Sequence, residues 1–212
     1  MFRTPLIFLL LFCQIVSADN VKVELDTSAV PHLNKWGEEA KKLIQEWYPR
    51  VNNLIPTKDH KVPKKIILKF KKSAEGIAHA TGNTITVMSG WVEKHPDDIG
   101  LVVHEMVHVI QGYPNGNPGW LVEGIADYLR WAIFQGKSPD QFHRPKVKQG
   151  YKQSYQVAAG FLLWLESEIS PGIISKLNSS MRKGKYNDDI FKTESKKSLD
   201  ELWDMYTEKS AA

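Results

Sequence analysis

The run DDIGLVVHEMVHVIQ, residues 97–111, decides how this chain is to be read. Ile99, Leu101, Val102, Val103, Met106, Val107, Val109 and Ile110 leave almost no polar surface on a helix, and a helix apolar nearly all round is a buried one. The polar remainder, His104, Glu105, His108 and Gln111, falls at i, i+1, i+4 and i+7 and forms one narrow stripe. Imidazole and carboxylate groups left unpaired away from water carry a heavy desolvation penalty, so the stripe must meet a cleft, a metal or itself. A pair of satisfied core histidines is the plainer reading, but it explains neither the glutamate nor the spacing. Helix positions i and i+4 lie one turn apart, with Cβ atoms about 5–6 Å from each other, so His104 and His108 can share one ion. Glu105 sits a step to the side, placed to act on a ligand of that ion, as in the HExxH pattern of hydrolytic zinc sites.

Such a site takes three protein ligands and keeps one position open, so a third ligand is needed. A metzincin would continue with Gly at 111 and His at 114; here those positions hold Gln111 and Pro114, which excludes that class. After the loop GYPNGNPG (112–119) the chain resumes as WLVEGIADYLRW (120–131), with an apolar helix face and Glu123 and Asp127 at i and i+4 on its other side. The short loop folds this helix back on the first, bringing Glu123 to the two histidines as the expected third ligand. Asp127 is then placed to accept a hydrogen bond from the free ring nitrogen of one histidine and fix its tautomer. Its plainer alternative is a surface pair with Arg130.

Working outward, Val21 to Leu25 alternates as a short strand, and Leu33 to Tyr48 carries Trp36, Ala40, Leu43, Ile44 and Trp47 at helical spacing, with Pro49 expected to end it. Lys65 to Phe70 and Asn83 to Met88 read as strands, separated by the Gly-containing stretch 74–82. Downstream, 97–111, 120–134, 154–169 and 199–206 read as helices, with another over 172–182. Strands first and helices after predicts an α+β fold, a small sheet packed on a mainly helical half. No repeat, low-complexity segment or linker divides it.

The first residues differ from the rest. Arg3, the apolar run LIFLLLFC (6–13) and the small residues ending at Ala18 have the order of a secretory signal peptide, too short to span a bilayer. The expected organisation is therefore a signal peptide over 1–18 and one domain over 19–212, secreted and free of the membrane once the signal is removed. Removal takes away Cys13, the one cysteine, and lowers the formal charge of +4 by one, to +3. The remaining 194 of 212 residues suffice for one sizeable core without disulfides. No basic cluster is interleaved with aromatics, so no nucleic-acid partner is expected. KVPKK and KFKK read as solvated strand ends. Asn178, with Ser179 and Ser180, forms the one N-glycosylation sequon.

HEMVHVIQGYPNGNPGWLVEGIADYLRW (104–131) resembles the signature of the plant basic secretory protein family, also called the peptidase family of plants and bacteria, among the gluzincin-type zinc metallopeptidases. GIAHATGNTITVMSGW (76–91) is similar to its strand segment, SYQVAAGFLLWLE (154–166) to its Tyr-containing helix, and MRKGKYNDDIF with LDELWDMY (181–191, 199–206) to its C-terminal end. The resemblance implies a zincin-like fold, secretion, and hydrolysis of peptide bonds in a peptide or protein substrate. It implies Zn2+ held by His104, His108 and Glu123, with Glu105 as the catalytic glutamate. Only 14 residues separate His108 from Glu123, fewer than in thermolysin-like gluzincins, so the third ligand rests on the WLVEG context.

Glu105 would take the proton of the attacking water and deliver it to the leaving amine. Tyr155, matching the family's downstream tyrosine, is the candidate donor to the developing oxyanion, against the alternatives of a core tyrosine or of His143 in that role. The strand around Ile77 to Met88 is expected to pair with an extended substrate, with Asn83, Thr84 and Thr86 along it. A monomeric endopeptidase is the leading expectation. The alternative is a secreted defence or binding protein that keeps zinc only for structure, a role that does not need Glu105.

Overall fold

A computed structural model describes residues 21–208, and within them the polarity pattern unrolls in chain order. β1 (Lys22–Asp26) leads through a 3-10 turn into α1 (Asn34–Leu54), followed by β2 (Lys65–Lys71), β3 (Ala78–Thr81) and β4 (Thr84–Met88). The helices follow: α2 (Ser89–Lys94), α3 (Leu101–Gln111), α4 (Gly119–Asp127), α5 (Tyr155–Trp164), α6 (Ile173–Arg182), α7 (Asp189–Ser195) and α8 (Leu199–Glu208). The architecture is α+β as expected. The signal peptide expected over 1–18 lies outside the described residues.

The sheet runs β1-β2-β4-β3, with β1, β2 and β4 parallel and β3 antiparallel to β4. Ile66, Leu68 and Phe70 of β2 are buried in alternation, one face on a core, whereas Ile85, Thr86 and Val87 of the inner strand β4 are buried in succession. The stretch 74–82 was read as a connection and again as part of a strand over Ile77 to Met88; it holds a separate strand, β3, paired with β4 in a hairpin. Four residues with two alanines carry little strand propensity. What pins them is a two-residue hairpin, Thr81 opposite Thr84, with Gly82 at φ +59 in its first position.

α1 runs past Pro49, which was expected to stop it. Ala40, Ile44, Tyr48 and Val51 keep helical spacing and are all buried. Continued burial of that stripe outweighs the hydrogen bond a proline removes and its clash with the preceding turn, about 3 kcal/mol. α3 begins at Leu101, not at Asp97: the Asp98 carboxylate accepts a bond from Trp91 Nε1 at 3.0 Å and one from Arg130, and residues 97–100 form turns. It ends on Gly112 in the left-handed conformation, φ +52, where only glycine is unstrained. The helices read over 120–134 and 154–169 both change character, continuing from α4 and α5 as π-helical turns at Tyr128–Phe134 and Leu165–Ile169. α2 and α7 had no sequence signal long enough to mark them.

The helical half closes over an aromatic cluster. Phe161 of α5 stands edge-on to Trp203 of α8 at 5.4 Å and lies 5.5 Å from Tyr206, all of them almost wholly buried. Asn178 of α6 is buried as well, against Ile55 and Tyr113, not on the surface as a sequon would be. Its Nδ2 donates to Ile55 O at 2.9 Å and its Oδ1 accepts from Tyr113 at 3.0 Å, which leaves no room for a glycan in this fold.

Candidate metal centre

All of α3 except His108 is buried, so the polar stripe of the sequence has become the floor of a cleft. His104 Nε2 lies 3.0 Å from His108 Nε2 and 3.1 Å from Glu123 Oε2, and His108 Nε2 lies 3.4 Å from the same oxygen. The far side of each imidazole is engaged. His104 Nδ1 is 2.7 Å from Asp127 Oδ1, and His108 Nδ1 is 2.8 Å from Gln111 Oε1. A carboxylate only accepts, so His104 carries its proton on Nδ1. The amide of Gln111 donates to Val122 O at 3.0 Å, which turns its oxygen to His108 and fixes the same tautomer there. Both Nε2 atoms therefore face each other and a carboxylate oxygen.

Three electron-pair donors within 3.4 Å of one another need a positive charge among them. Donors at about 2.1 Å around a tetrahedral ion stand about 3.4 Å apart, so the set fits a metal with little movement. The metal-free electrostatics report the same demand. Burial disfavours charge on His104, yet its bonds to Asp127 and Glu123 raise the imidazole to about 9. Burial acts likewise on Glu123, and contacts with His104 and His108 overcome it, holding the carboxyl at about 2. A cation on this spot is favoured, whether a proton or a metal ion.

Glu105 is also buried, but no hydrogen bond or ion pair reaches its carboxylate among the described residues. Desolvation raises its pKa from the ordinary 4.5, against the pull of His104 and His108. A desolvated, unpaired carboxylate beside a cation site is a base with nothing else to do.

The cleft above these groups has a volume of about 770 Å³, with β3 as one wall and Tyr155 on another. Tyr155 is 55% exposed, and its ring stacks near His104, 6.3 Å between centroids. Ser154 and Tyr155 both take positive φ, +61 and +47, unusual for side chains of any size, and they aim the phenol at the site. The core-tyrosine alternative therefore fails for Tyr155 and holds for Tyr151, which is 2% exposed. His143 is exposed and does not line the cleft. The alternative pairing of Asp127 with Arg130 is also absent, since Arg130 pairs with Asp98.

A family model described as "Peptidase of plants and bacteria" matches residues 23–206. The chain belongs to this family. No curated protein and no solved structure matches it. Membership of the peptidase family makes a peptide or protein the substrate, and the match takes in both helices that supply the donor set.

In this peptidase-family chain one residue went unassigned by sequence reasoning. Gln111 stood in the polar stripe, but its place at i+3 from His108, the spacing that lets side chains touch, was not used. Gln111→Ala is expected to weaken metal binding by about 10- to 100-fold, the usual cost of losing a group that orients a ligand. Competition with a chromophoric chelator measures it; unchanged affinity would show the contact to be idle. The substrate-pairing strand expected over Ile77 to Met88 contains the edge strand, but the residues named along it need correcting. Thr84 and Thr86 lie in β4, inside the sheet, and Asn83 Nδ2 donates to Lys65 O; the free edge at the cleft is β3.

Proposed function

We propose that this chain is a secreted, zinc-dependent endopeptidase with a zincin-like fold, in which His104, His108 and Glu123 hold the metal and Glu105 is the general base. The observation that carries the reading is the pairing of a cation-demanding donor triangle with a buried, unpartnered carboxylate. A structural metal site has no use for the second. Two imidazoles and one carboxylate form a set typical of catalytic zinc, and zinc there supplies a Lewis acid that makes water nucleophilic at neutral pH.

The chain's own residues do the rest. Asp127 and Gln111 keep the imidazoles in the tautomer that presents Nε2. Glu105 accepts the proton of the attacking water and returns it to the leaving amine. Tyr155 donates to the oxyanion: the charges of Glu123, Asp127 and Glu105, with partial burial, raise its pKa and so keep the phenol protonated. An extended substrate lies along the free edge of β3, fixed by main-chain bonds with little demand on sequence. Tyr155→Phe is expected to lower kcat by about 100-fold with KM little changed, the signature of a donor used only in the transition state. An equal loss in binding would reassign the phenol to substrate docking.

The deciding experiment is metal analysis of the purified mature protein coupled to a peptide-library cleavage assay. One zinc per chain, hydrolysis lost on chelation and regained with zinc are expected. Undiminished hydrolysis by the metal-free protein would overturn the reading.

A further inference from the structure

Beyond the metal ligands the cleft continues along α4 into its π-helical extension, where a guanidinium enters its lining. Around the metal site stand Glu105, Glu123 and Asp127; at the far end stands Arg130, paired with Asp98. Arg130 lines the cleft, its side chain is only 11% exposed, and among the described residues its one side-chain hydrogen bond runs from Nη2 to Asp98 Oδ1. Its buried Nε has no partner. Five N–H donors in a rigid fork, one of them used, are far from satisfied. Asp98 is shared between two donors, since its other oxygen accepts from Trp91 Nε1 at 3.0 Å. The guanidinium stacks over Trp131 at 4.3 Å, and Lys137 Nζ approaches the same ring at 5.3 Å. A helix terminus or a surface lysine does none of this. It is a desolvated, pre-oriented fork inside a substrate cleft.

We propose that this end of the cleft is a receptor for a substrate carboxylate, with Arg130 as its anchor. The inference rests on the peptidase reading. Glu123 and Arg130 are seven residues apart on one helical face, about 10 Å of helix rise. An extended peptide advances about 3.3 Å per residue, so the carboxylate belongs about three residues from the cleaved bond. An acidic side chain and a peptide C-terminus offer the same chemistry. Bidentate pairing in a desolvated pocket selects either one over a neutral amide.

The test uses end-labelled peptides of about eight residues, made as Glu/Gln pairs at each position and with acid or amide C-termini. Binding to the zinc-loaded Glu105→Gln protein is read by fluorescence anisotropy, and cleavage by the unmodified protein in parallel. One Glu position, or the acid terminus, is expected to bind about tenfold tighter than its neutral counterpart, in line with a hydrogen-bonded charge pair. A side-chain preference blind to the terminus assigns an internal acidic residue; the reverse assigns the C-terminus. Arg130→Met is expected to abolish the preference, Arg130→Lys to reduce it, and Asp98→Asn, which removes the competing carboxylate, to increase it. Equal binding of every pair, or a preference that survives Arg130→Met, overturns the proposal; should that variant not fold, an unchanged ratio in Asp98→Asn does so. Cleavage without a charge preference sinks this inference alone. A charge preference without any cleavage sinks the peptidase reading and leaves the receptor standing.

Discussion

Glu105→Gln is expected to bind metal as the parent does and to hydrolyse peptides about 1,000- to 10,000-fold more slowly, the upper part of the range for losing a positioned general base. Glutamine keeps the volume and burial of the side chain, so α3, buried on every other side, has no reason to move. What goes is a charge that, among the described residues, no hydrogen bond or ion pair engages. The donor triangle of His104, His108 and Glu123 is untouched, because Glu105 makes no bond to any of its members. Two measurements on one sample therefore separate chemistry from assembly: zinc content by mass spectrometry and kcat/KM on a fluorogenic peptide. Retained zinc with full hydrolysis would remove Glu105 from the mechanism, and with it the reason for preferring an enzyme over a metal-stabilised binding protein.

The second large effect is on stability, from a residue outside the cleft. Arg182→Met is expected to destabilise the fold by about 3 kcal/mol, roughly a 10 °C fall in Tm for a domain of this size. Arg182 is 9% exposed and has no carboxylate partner among the described residues. Its charge is held by oxygens alone: Ile110 O at 2.6 Å, Gln111 O at 3.1 Å, Ile55 O at 2.8 Å and Thr57 Oγ1 at 3.0 Å. The first two are carbonyls that the end of α3 leaves without helical partners, and a cation there also meets the negative end of the helix dipole. Methionine fills the space and strands those acceptors in a dry interior, the costly half of removing a hydrogen bond. Gln111 orients His108, so metal affinity should fall in the same variant. Thermal unfolding with and without zinc reads both effects; a Tm within a degree or two of the parent would show that water replaces the guanidinium freely.

That Arg182 and Asn178 were not foreseen shows where a single sequence runs out. Their partners are 65 or more residues away or are backbone carbonyls, and neither leaves a local pattern. Asn178 even gave the wrong pattern, since Asn-Ser-Ser reads as a surface sequon. By contrast the geometry around His104 was legible, because helix spacing turns sequence separations of four into contacts in space. His104 to His108 and Glu123 to Asp127 are both of that kind, and the seven-residue loop between α3 and α4 could hardly keep them apart. Gln111 was legible by the same rule and was overlooked. Pro49 failed for the opposite reason, local propensity having been followed where burial of Val51 decided the outcome, and the strand read over Ile77 to Met88 missed the two-residue hairpin that divides it. The π-helical turn after Asp127 has no sequence signature that period-3.6 reasoning can see, yet it carries Arg130 and Trp131 into the cleft.

The two edges of the sheet are not alike. β1 carries Lys22, Glu24 and Asp26 along its length, with Glu24 held between Lys22 and Lys65 at 2.9 and 2.6 Å, and such charges deter another strand from adding itself. β3, Ala-His-Ala-Thr, carries no carboxylate, lysine or arginine. An edge kept open to one extended chain is open to others, including the unfolded or neighbouring copies that crowd a concentrated solution. Its defence is brevity: four residues ended by the Gly82 turn offer a register long enough for a short stretch of peptide and too short to seed a growing sheet. Lengthening β3 would therefore trade solubility for grip, and colloidal stability sets a limit on how firmly this edge can hold anything.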